Sequence, residues 1–374
     1  MCGVAAAIGV AEAGAVAETM ARAMSHRGPD DHGHSTLVDG DGVVAGAMAH
    51  RRLAIIDLTA NGHQPMATRD GRFAIAFNGE IYNYRELDAR LARHGHGAPR
   101  GGDTAVLLEA WARYGPRVLE DAAGMFAFAL WDAQERALYV ARDPFGIKPL
   151  YYARVDGGVL VASELRALLA SGRVAPRLEP RAVASYLTFG AVQEPATIIA
   201  GVRMVPAGAV LRFVVGDRAV REERVATVAP FAMAVELLTD RRTAVRELRR
   251  ALERSIDRHL VSDVPVSVFL SGGLDSSAVA ALAAQRAGAA IDGFTVTFAE
   301  RRFDERGIAR QVADRYGINH HEIPLGGRDL LAALPAAFAA MDQPTLDGIN
   351  TYVVSEAVRA RGSKVVLSGL GGDE

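Results

Sequence analysis

One cysteine, Cys2, stands among 374 residues, so the chain cannot close an internal disulfide and asks for no oxidising compartment. Neither charge is in excess: 42 Lys and Arg against 44 Asp and Glu leave a formal charge of -2 and a pI near 6.6. No basic surplus is there to grip a phosphate backbone, and the arginines of 241–250 alternate with apolar residues as on a solvated helix face, which argues against nucleic acid as a partner. No apolar run approaches the roughly 20 residues of a membrane helix. The N-terminus lacks the basic region and apolar core of a signal peptide, and a cytoplasmic setting is expected. What is present is a globular composition, 50% apolar and 23% charged, long enough for two domains.

The first half reads as short apolar runs punctuated by Gly, Asp and Asn: GDGVVAGAMAHRRLAIIDL, RFAIAFNGEIYNY, GMFAFALWD, ALYVARD and GVLVASE. These predict strands. Between them VAETMARAMSHRG, YRELDARLARHG and DTAVLLEAWARYG read as helices, each closed by a glycine. RMVPAGAVLRF gives a turn and a strand, after which periodicity fades, and a linker is expected over 216–238 between domains at 1–215 and 239–374. From there a long amphipathic helix, RRTAVRELRRALERSIDRHL, leads into strands (VPVSVFL, IDGFTVTF, HHEIPL, SKVVLSG) alternating with helices. Alternation of that length predicts a parallel, doubly wound sheet.

A lone cysteine is ordinarily a small buried hydrophobe. Position 2 changes that reading. Loss of the initiator Met leaves thiol and α-amine on one residue, and an amine of pKa near 8 can take the thiol proton directly or through water. Nucleophile and base then arrive together. The substrate has to be read from the neighbours: SHRGPDD (25–31), AHRRLAIIDL (49–58), FNGEIYNY (77–84) and GGDT (101–104). Singly these are turns and solvated loops. In this order behind Met-Cys-Gly, and continued by ARDPFGIKPLYY (141–152) and ASELRAL (162–168), the set resembles the glutaminase domain of class II glutamine amidotransferases. The resemblance implies an N-terminal nucleophile fold, an α+β αββα sandwich. It implies that Cys2 attacks the glutamine side-chain amide, forming a thioester and releasing ammonia. Asn78 and the Gly79 N–H then form the oxyanion hole. Arg52 takes the substrate α-carboxylate, Asp103 its α-ammonium, and Glu80 with the backbone of Leu53, Ala54, Ile55 and Ile56 completes the pocket. Ala105 stands where many relatives have Glu.

The second chemical signal is VFLSGGLDSS (268–277), a strand, a glycine loop and a helix. Gly272 and Gly273 let backbone N–H groups approach a pyrophosphate at a helix N-terminus. Ser271, Ser276 and Ser277 add hydroxyl donors, and Asp275 can hold Mg²⁺. The loop has no Walker lysine and resembles the pyrophosphate loop of the ATP pyrophosphatases. That likeness implies an adenine pocket at Phe269, Leu270 and Val296 and nucleotide contacts at Ser368 and Gly369. A class II glutaminase followed by such a domain resembles the glutamine-hydrolysing asparagine synthetases, which implies glutamine, ATP with Mg²⁺, and aspartate as reactants. Where that family carries Ser-Gly-Glu-Gly, this chain has Leu370 in the acidic position, so aspartate and another carboxylate both stand as acceptor. Ser267 replaces the usual Gly of Val-Pro-Val-Gly. Glu374 falls inside a Gly-Gly-Asp-Glu motif, beyond which the family's further helices and catalytic lysine are expected. A glutaminase with a nucleotide-binding appendage is the alternative reading, and a homodimer the candidate assembly. His259, His320 and His321 have no metal-ligand spacing.

Overall fold

The computed structural model describes residues 1–97, 101–216, 220–227, 240–288, 290–298 and 304–371, with backbone alone over 220–227. Two compact units emerge, Met1–Met233 with Asp342–Thr345, and Ala234–Met341 with Leu346–Glu374.

Two antiparallel six-stranded sheets build the first unit. One is ordered β10 (Val202–Met204), β8 (Tyr151–Val155), β9 (Gly158–Ala162), β1 (Gly3–Ile8), β3 (Val44–Arg52), β2 (Asp31–Val38). The other runs β12 (Val220–Thr227), β11 (Ala209–Val215), β7 (Ala137–Arg142), β6 (Gly124–Asp132), β5 (Phe73–Ile81), β4 (Met66–Ala67). Helices α1 (Ala13–Ala23) and α5 (Leu165–Ala170) pack on the first sheet, and α2 (Tyr84–Arg93), α3 (Gly102–Tyr114) and α4 (Val118–Asp121) on the second. Helix α6 (Pro180–Phe189) follows.

Strand composition explains the four layers. On β1, Val4, Ala6 and Ile8 enter the core between the sheets, while Ala5 and Ala7 face α1. A strand covered on both faces has no polar face to alternate with, so GVAAAI reads as one apolar run. On β6 the alternation is in size: Ala127 and Ala129 lie with Trp131 between the sheets, whereas Phe126, Phe128 and Leu130 point at α2 and α3. Helix α1 buries Ala13, Val16, Ala17, Met20 and Ala21, the i, i+3, i+4 stripe of a surface helix.

Two local expectations are revised. Gly95 and Gly115 close α2 and α3 with φ of 78° and 61°, but α1 ends at Met24 and Gly28 serves another purpose. A Cβ at Gly28 would lie 2.3 Å from the Arg51 carbonyl carbon; the glycine lets the chain pass against β3. Within the expected linker, β12 pairs antiparallel with β11 as an edge strand. Its Arg-Glu-Glu-Arg at 221–224 masks a strand pattern, because edge strands carry charge that central strands avoid. The linker residues 217–219 and 228–238 lie outside the described residues.

In the second unit α7 (Arg241–His259) leads into β13 (Val266–Phe269), α8 (Leu274–Arg286), β14 (Asp292–Thr297), α9 (Arg306–Tyr316) and β15 (Asn319–Pro324). Helices α10 (Gly327–Ala340) and α11 (Gly348–Arg359) and strand β16 (Val365–Leu367) follow. The sheet is ordered β15-β14-β13-β16 and every pairing is parallel. The order reverses at β13, and ligands of such sheets bind outside the strand C-termini at that reversal.

Candidate active site

A cleft of about 540 Å³ in the first unit is lined by Cys2, Arg52, Leu53, Ile55, Ile56, Asn78, Gly79, Glu80 and Asp103. Those residues arrive from the position just before β1, the end of β3 and its following loop, β5, and the start of α3. Of the expected glutamine pocket only Ala54 stays behind the wall, its N–H donating to Asp30 Oδ2 at 2.9 Å.

Cys2 sits with Sγ against the backbone of Leu53, whose N–H points to it at 3.4 Å. Burial pushes the thiol up from its ordinary value, so the thiol needs a base. With Met1 in place the Cys2 backbone N–H donates to Asn78 Oδ1 at 3.0 Å. The other end of that side chain, Asn78 Nδ2, is buried and has no partner among the described residues. A buried donor left unpaired is costly, and in a cleft it marks where an acceptor is to be bound.

Gly79 is required by packing rather than by the cleft. It pairs with Phe126 on β6, and a Cβ would stand 2.3 Å from the Met125 carbonyl oxygen. Arg52 has a second duty as well: its guanidinium donates to the carbonyls of Thr59 at 3.0 Å, Ile56 at 3.3 Å, and Asp57. It thereby fixes the loop that carries Ile55 and Ile56. Asp103 accepts the N–H groups of Ile81 and Thr104, both at 2.9 Å, at the N-terminal turn of α3, where the helix dipole favours a carboxylate. Burial nevertheless raises it to about 6, and burial raises Glu80 to about 7.

Four participants, Arg27, Gln64, Lys148 and Glu164, were not singled out in the sequence. Arg27 donates from Nε to the Cys2 carbonyl at 2.8 Å and from Nη1 to Glu164 at 2.9 Å, clamping the nucleophile's backbone. Gln64 accepts the Phe77 N–H at 2.7 Å and lines the cleft beside Lys148. Arg27 and Glu164 lie within the quoted stretches SHRGPDD and ASELRAL, but their pairing spans 137 positions and only the sheet order brings them together.

In the second unit the loop Ser271-Gly272-Gly273 joins β13 to α8. Ser271 Oγ and Ser276 Oγ lie 2.6 Å apart, and the Gly273 N–H donates to Ser271 Oγ at 3.1 Å. Ser277 Oγ donates to the Ser271 carbonyl at 3.4 Å. The Gly272 N–H donates to the Glu305 carboxylate at 2.9 Å, so this amide already serves an anion. Gly369 presses on the same place: a Cβ there would lie 2.7 Å from the Ser276 nitrogen, which sets the Ser368–Gly369 strand end against the α8 N-terminus. Leu270 is buried, its N–H bonded to the Phe294 carbonyl at 2.9 Å; Phe269 and Val296 are half-buried near the C-terminal ends of β13 and β14. Asp275 is half-buried in the first turn of α8. Leu370 is 87% exposed. Asp373 and Glu374 lie outside the described residues.

Residues 1–224 match the profile of the glutamine amidotransferase domain and residues 247–374 that of asparagine synthase. The chain belongs to the glutamine-hydrolysing asparagine synthetase family. Within that family it is 38% identical, over its whole length and 60% of the relative's, to the "Putative asparagine synthetase (glutamine-hydrolyzing)" of Mycobacterium tuberculosis strain H37Rv. It is 35% identical to asparagine synthetase (glutamine-hydrolyzing) 1 of Bacillus subtilis strain 168, over 93% of this chain and 53% of that one. Amidase chyE of Penicillium rubens is 32% identical over 94% of this chain and 53% of its own. The chain thus spans 53% to 60% of the length of these relatives. The first unit has αββα layering, two six-stranded sheets packed between helices. Among the described residues no helix is long and apolar enough to cross a membrane, and no group of three His, Cys, Asp or Glu could hold a metal ion.

Proposed function

We propose that this chain hydrolyses glutamine at Cys2 and delivers the ammonia to a carboxylate activated with ATP in the second unit, in a cytoplasmic amide ligase. The observation that carries the first half is Asn78, which holds the Cys2 nitrogen on Oδ1 and keeps Nδ2 buried and unpaired in the cleft. Once Met1 is removed, that nitrogen is the α-amine. It takes the thiol proton as Sγ attacks the amide carbon, and the oxyanion meets Asn78 Nδ2 and the Gly79 N–H. The proton passes to the leaving nitrogen, ammonia departs, and water releases glutamate from the thioester. Arg52 holds the substrate carboxylate and Asp103 its ammonium.

The loop residues fit a pyrophosphate: a backbone amide already turned to an anion, three hydroxyls, and a helix N-terminus. ATP supplies an AMP leaving group to a carboxylate that otherwise resists nucleophiles. Asp275, in the first turn of α8, would hold Mg²⁺, which would neutralise the phosphates. Ammonia reaches the acyl-adenylate through an internal tunnel that keeps it unprotonated. Aspartate is the first acceptor to test, giving asparagine, AMP and diphosphate. A different carboxylate is the second reading, favoured by Leu370 in the acidic position and by a relative named as an amidase. Glutamate release and AMP formation, measured separately, test the proposal. Glutamate release with aspartate-dependent AMP supports the first reading. AMP with another carboxylate alone selects the second, and glutamate release without AMP for any acceptor leaves a glutaminase only.

Asp103 adds a pH test. A carboxyl titrating at about 6 in the free cleft is ionised above that pH and pairs with the substrate ammonium; below it the charge is lost. The KM for glutamine is therefore expected to rise about tenfold per pH unit below about 6. Asp103→Asn is expected to raise KM about 10- to 100-fold and to flatten that acid limb. An acid limb unchanged in Asp103→Asn would sink Asp103 as its source.

A further inference from the structure

Lys148 has no part in the scheme above, yet the fold goes to some length to place it. Asp143 accepts the N–H groups of Phe145 at 3.1 Å and Ile147 at 3.0 Å on Oδ1, and that of Lys148 at 3.0 Å on Oδ2. Arg142 Nε donates to the Lys148 carbonyl at 2.9 Å. Gly146 turns the loop at φ 66°, where a Cβ would lie 2.8 Å from the Arg142 guanidinium carbon. Both backbone groups of Lys148 are thus fixed, and its side chain enters the cleft with Cys2 and Glu80 while only 7% exposed. Among the described residues its ammonium makes no hydrogen bond or ion pair. A largely buried charge without a protein partner is expensive, which directs attention to what this one faces in the cleft.

The groups facing it are few. Cys2 and the N-terminal amine come from the start of β1, Arg27 from the segment after α1, Glu80 from β5 and Asp143 from its own loop. Asp143 is committed to backbone amides, and Arg27 to Glu164 and the Cys2 carbonyl. Glu80, raised by burial to about 7, is only partly ionised at neutral pH. The negative charge left for Lys148 to answer is the one that appears on Sγ when Cys2 gives up its proton.

We propose that Lys148 is a positioning residue for the nucleophile, its ammonium serving as the counter-charge of the Cys2 thiolate and keeping the neighbouring α-amine neutral until it accepts the thiol proton. The inference rests on Cys2 acting as the nucleophile proposed above. The proton moves from Sγ to the α-amine; burial lowers Lys148 from its ordinary value, and the thiolate that forms in the same cleft favours its charged form. Once the negative charge has moved from sulfur to the oxyanion, the same ammonium makes the α-ammonium a stronger acid, which suits protonation of the leaving nitrogen. Both displacements follow from one like charge and one opposite charge lining the same cleft.

Because Cys2 is the only cysteine in the chain, iodoacetamide alkylation followed against pH titrates this thiol alone. The full chain is used, with loss of Met1 verified by mass. In Lys148→Met the alkylation midpoint is expected to move up by about one pH unit or more, and in Lys148→Arg to return to the wild-type position. Glutamine turnover should fall about tenfold at neutral pH, with KM within about threefold and partial recovery at higher pH. An unchanged midpoint in folded Lys148→Met overturns the proposal; should that variant fail to fold by circular dichroism, Lys148→Gln gives the same reading. Alkylation requires no glutamine. A wild-type protein that releases no glutamate, yet whose thiol midpoint moves in Lys148→Met, overturns the proposed hydrolysis and leaves the Lys148 assignment standing.

Discussion

Cys2→Ala is expected to lower glutamine hydrolysis by at least about 10⁴-fold, with ammonia-dependent turnover of the second unit kept. The size follows from what is removed: no other thiol exists in the chain, and water alone cannot form the thioester. Folding should survive, because the side chain is small, only half-buried, and held by two weak contacts to Leu53. A sharper variant keeps the thiol and removes the base. An alanine inserted between Met1 and Cys2 leaves Cys2 as an internal residue with an amide nitrogen that cannot accept a proton. Burial already disfavours the thiolate, so loss of the α-amine is expected to reduce hydrolysis about as severely as loss of the sulfur, whereas iodoacetamide still finds the thiol. Undiminished hydrolysis in Cys2→Ala sinks the nucleophile assignment. Undiminished hydrolysis in the insertion variant sinks the α-amine as base and leaves the sulfur in place.

Much of the candidate site could be read in advance because its chemistry is local in the chain. Cys2 follows a removable Met, Asn78 and Gly79 are adjacent, and SGGLDSS is a continuous strand-loop-helix passage. There residue type and context carry the resemblance that named the residues. Sequence reasoning missed groups whose role is created by topology. Arg27 meets Cys2 across 25 positions and Glu164 across 137, through the neighbouring of β1, β3 and β9 in one sheet. Lys148 sits in ARDPFGIKPLYY, a stretch noticed as a whole, but an isolated lysine in a loop reads as solvated; its burial is visible only after Asp143 and Arg142 close the loop beneath it. Gly79 was expected for its N–H, and the structure adds a packing reason, the Met125 carbonyl on the adjacent strand. The strands were legible from apolar runs and their four layers were expected from the resemblance, while β12 was hidden because its charges obey the rule for edges. The amide-capping carboxylate of Glu305 had no signal at all, being 33 positions from the glycine it contacts.

Asn78→Asp is expected to cut kcat for glutamine by about 100- to 1000-fold while moving KM by no more than about threefold. The substitution is nearly isosteric, so β5 and its pairing with Ala127 stay intact. An oxygen remains where Oδ1 now accepts from the Cys2 nitrogen, and the nucleophile keeps its orientation. What disappears is the Nδ2 donor that lies buried and unpaired in the cleft; an oxygen carrying negative charge takes its place. Repulsion is then directed at the position where negative charge develops on the glutamine carbonyl. The same carboxylate disfavours the Cys2 thiolate, so the pH profile of kcat should shift upward along with the loss. Asn78→Ala removes donor and acceptor together and is expected to impair alkylation of Cys2 as well, because nothing then orients the α-amine. The two variants therefore separate the roles of one side chain. If Asn78→Asp keeps kcat within about threefold of wild type, the oxyanion lies elsewhere, and the unpaired Nδ2 loses its explanation.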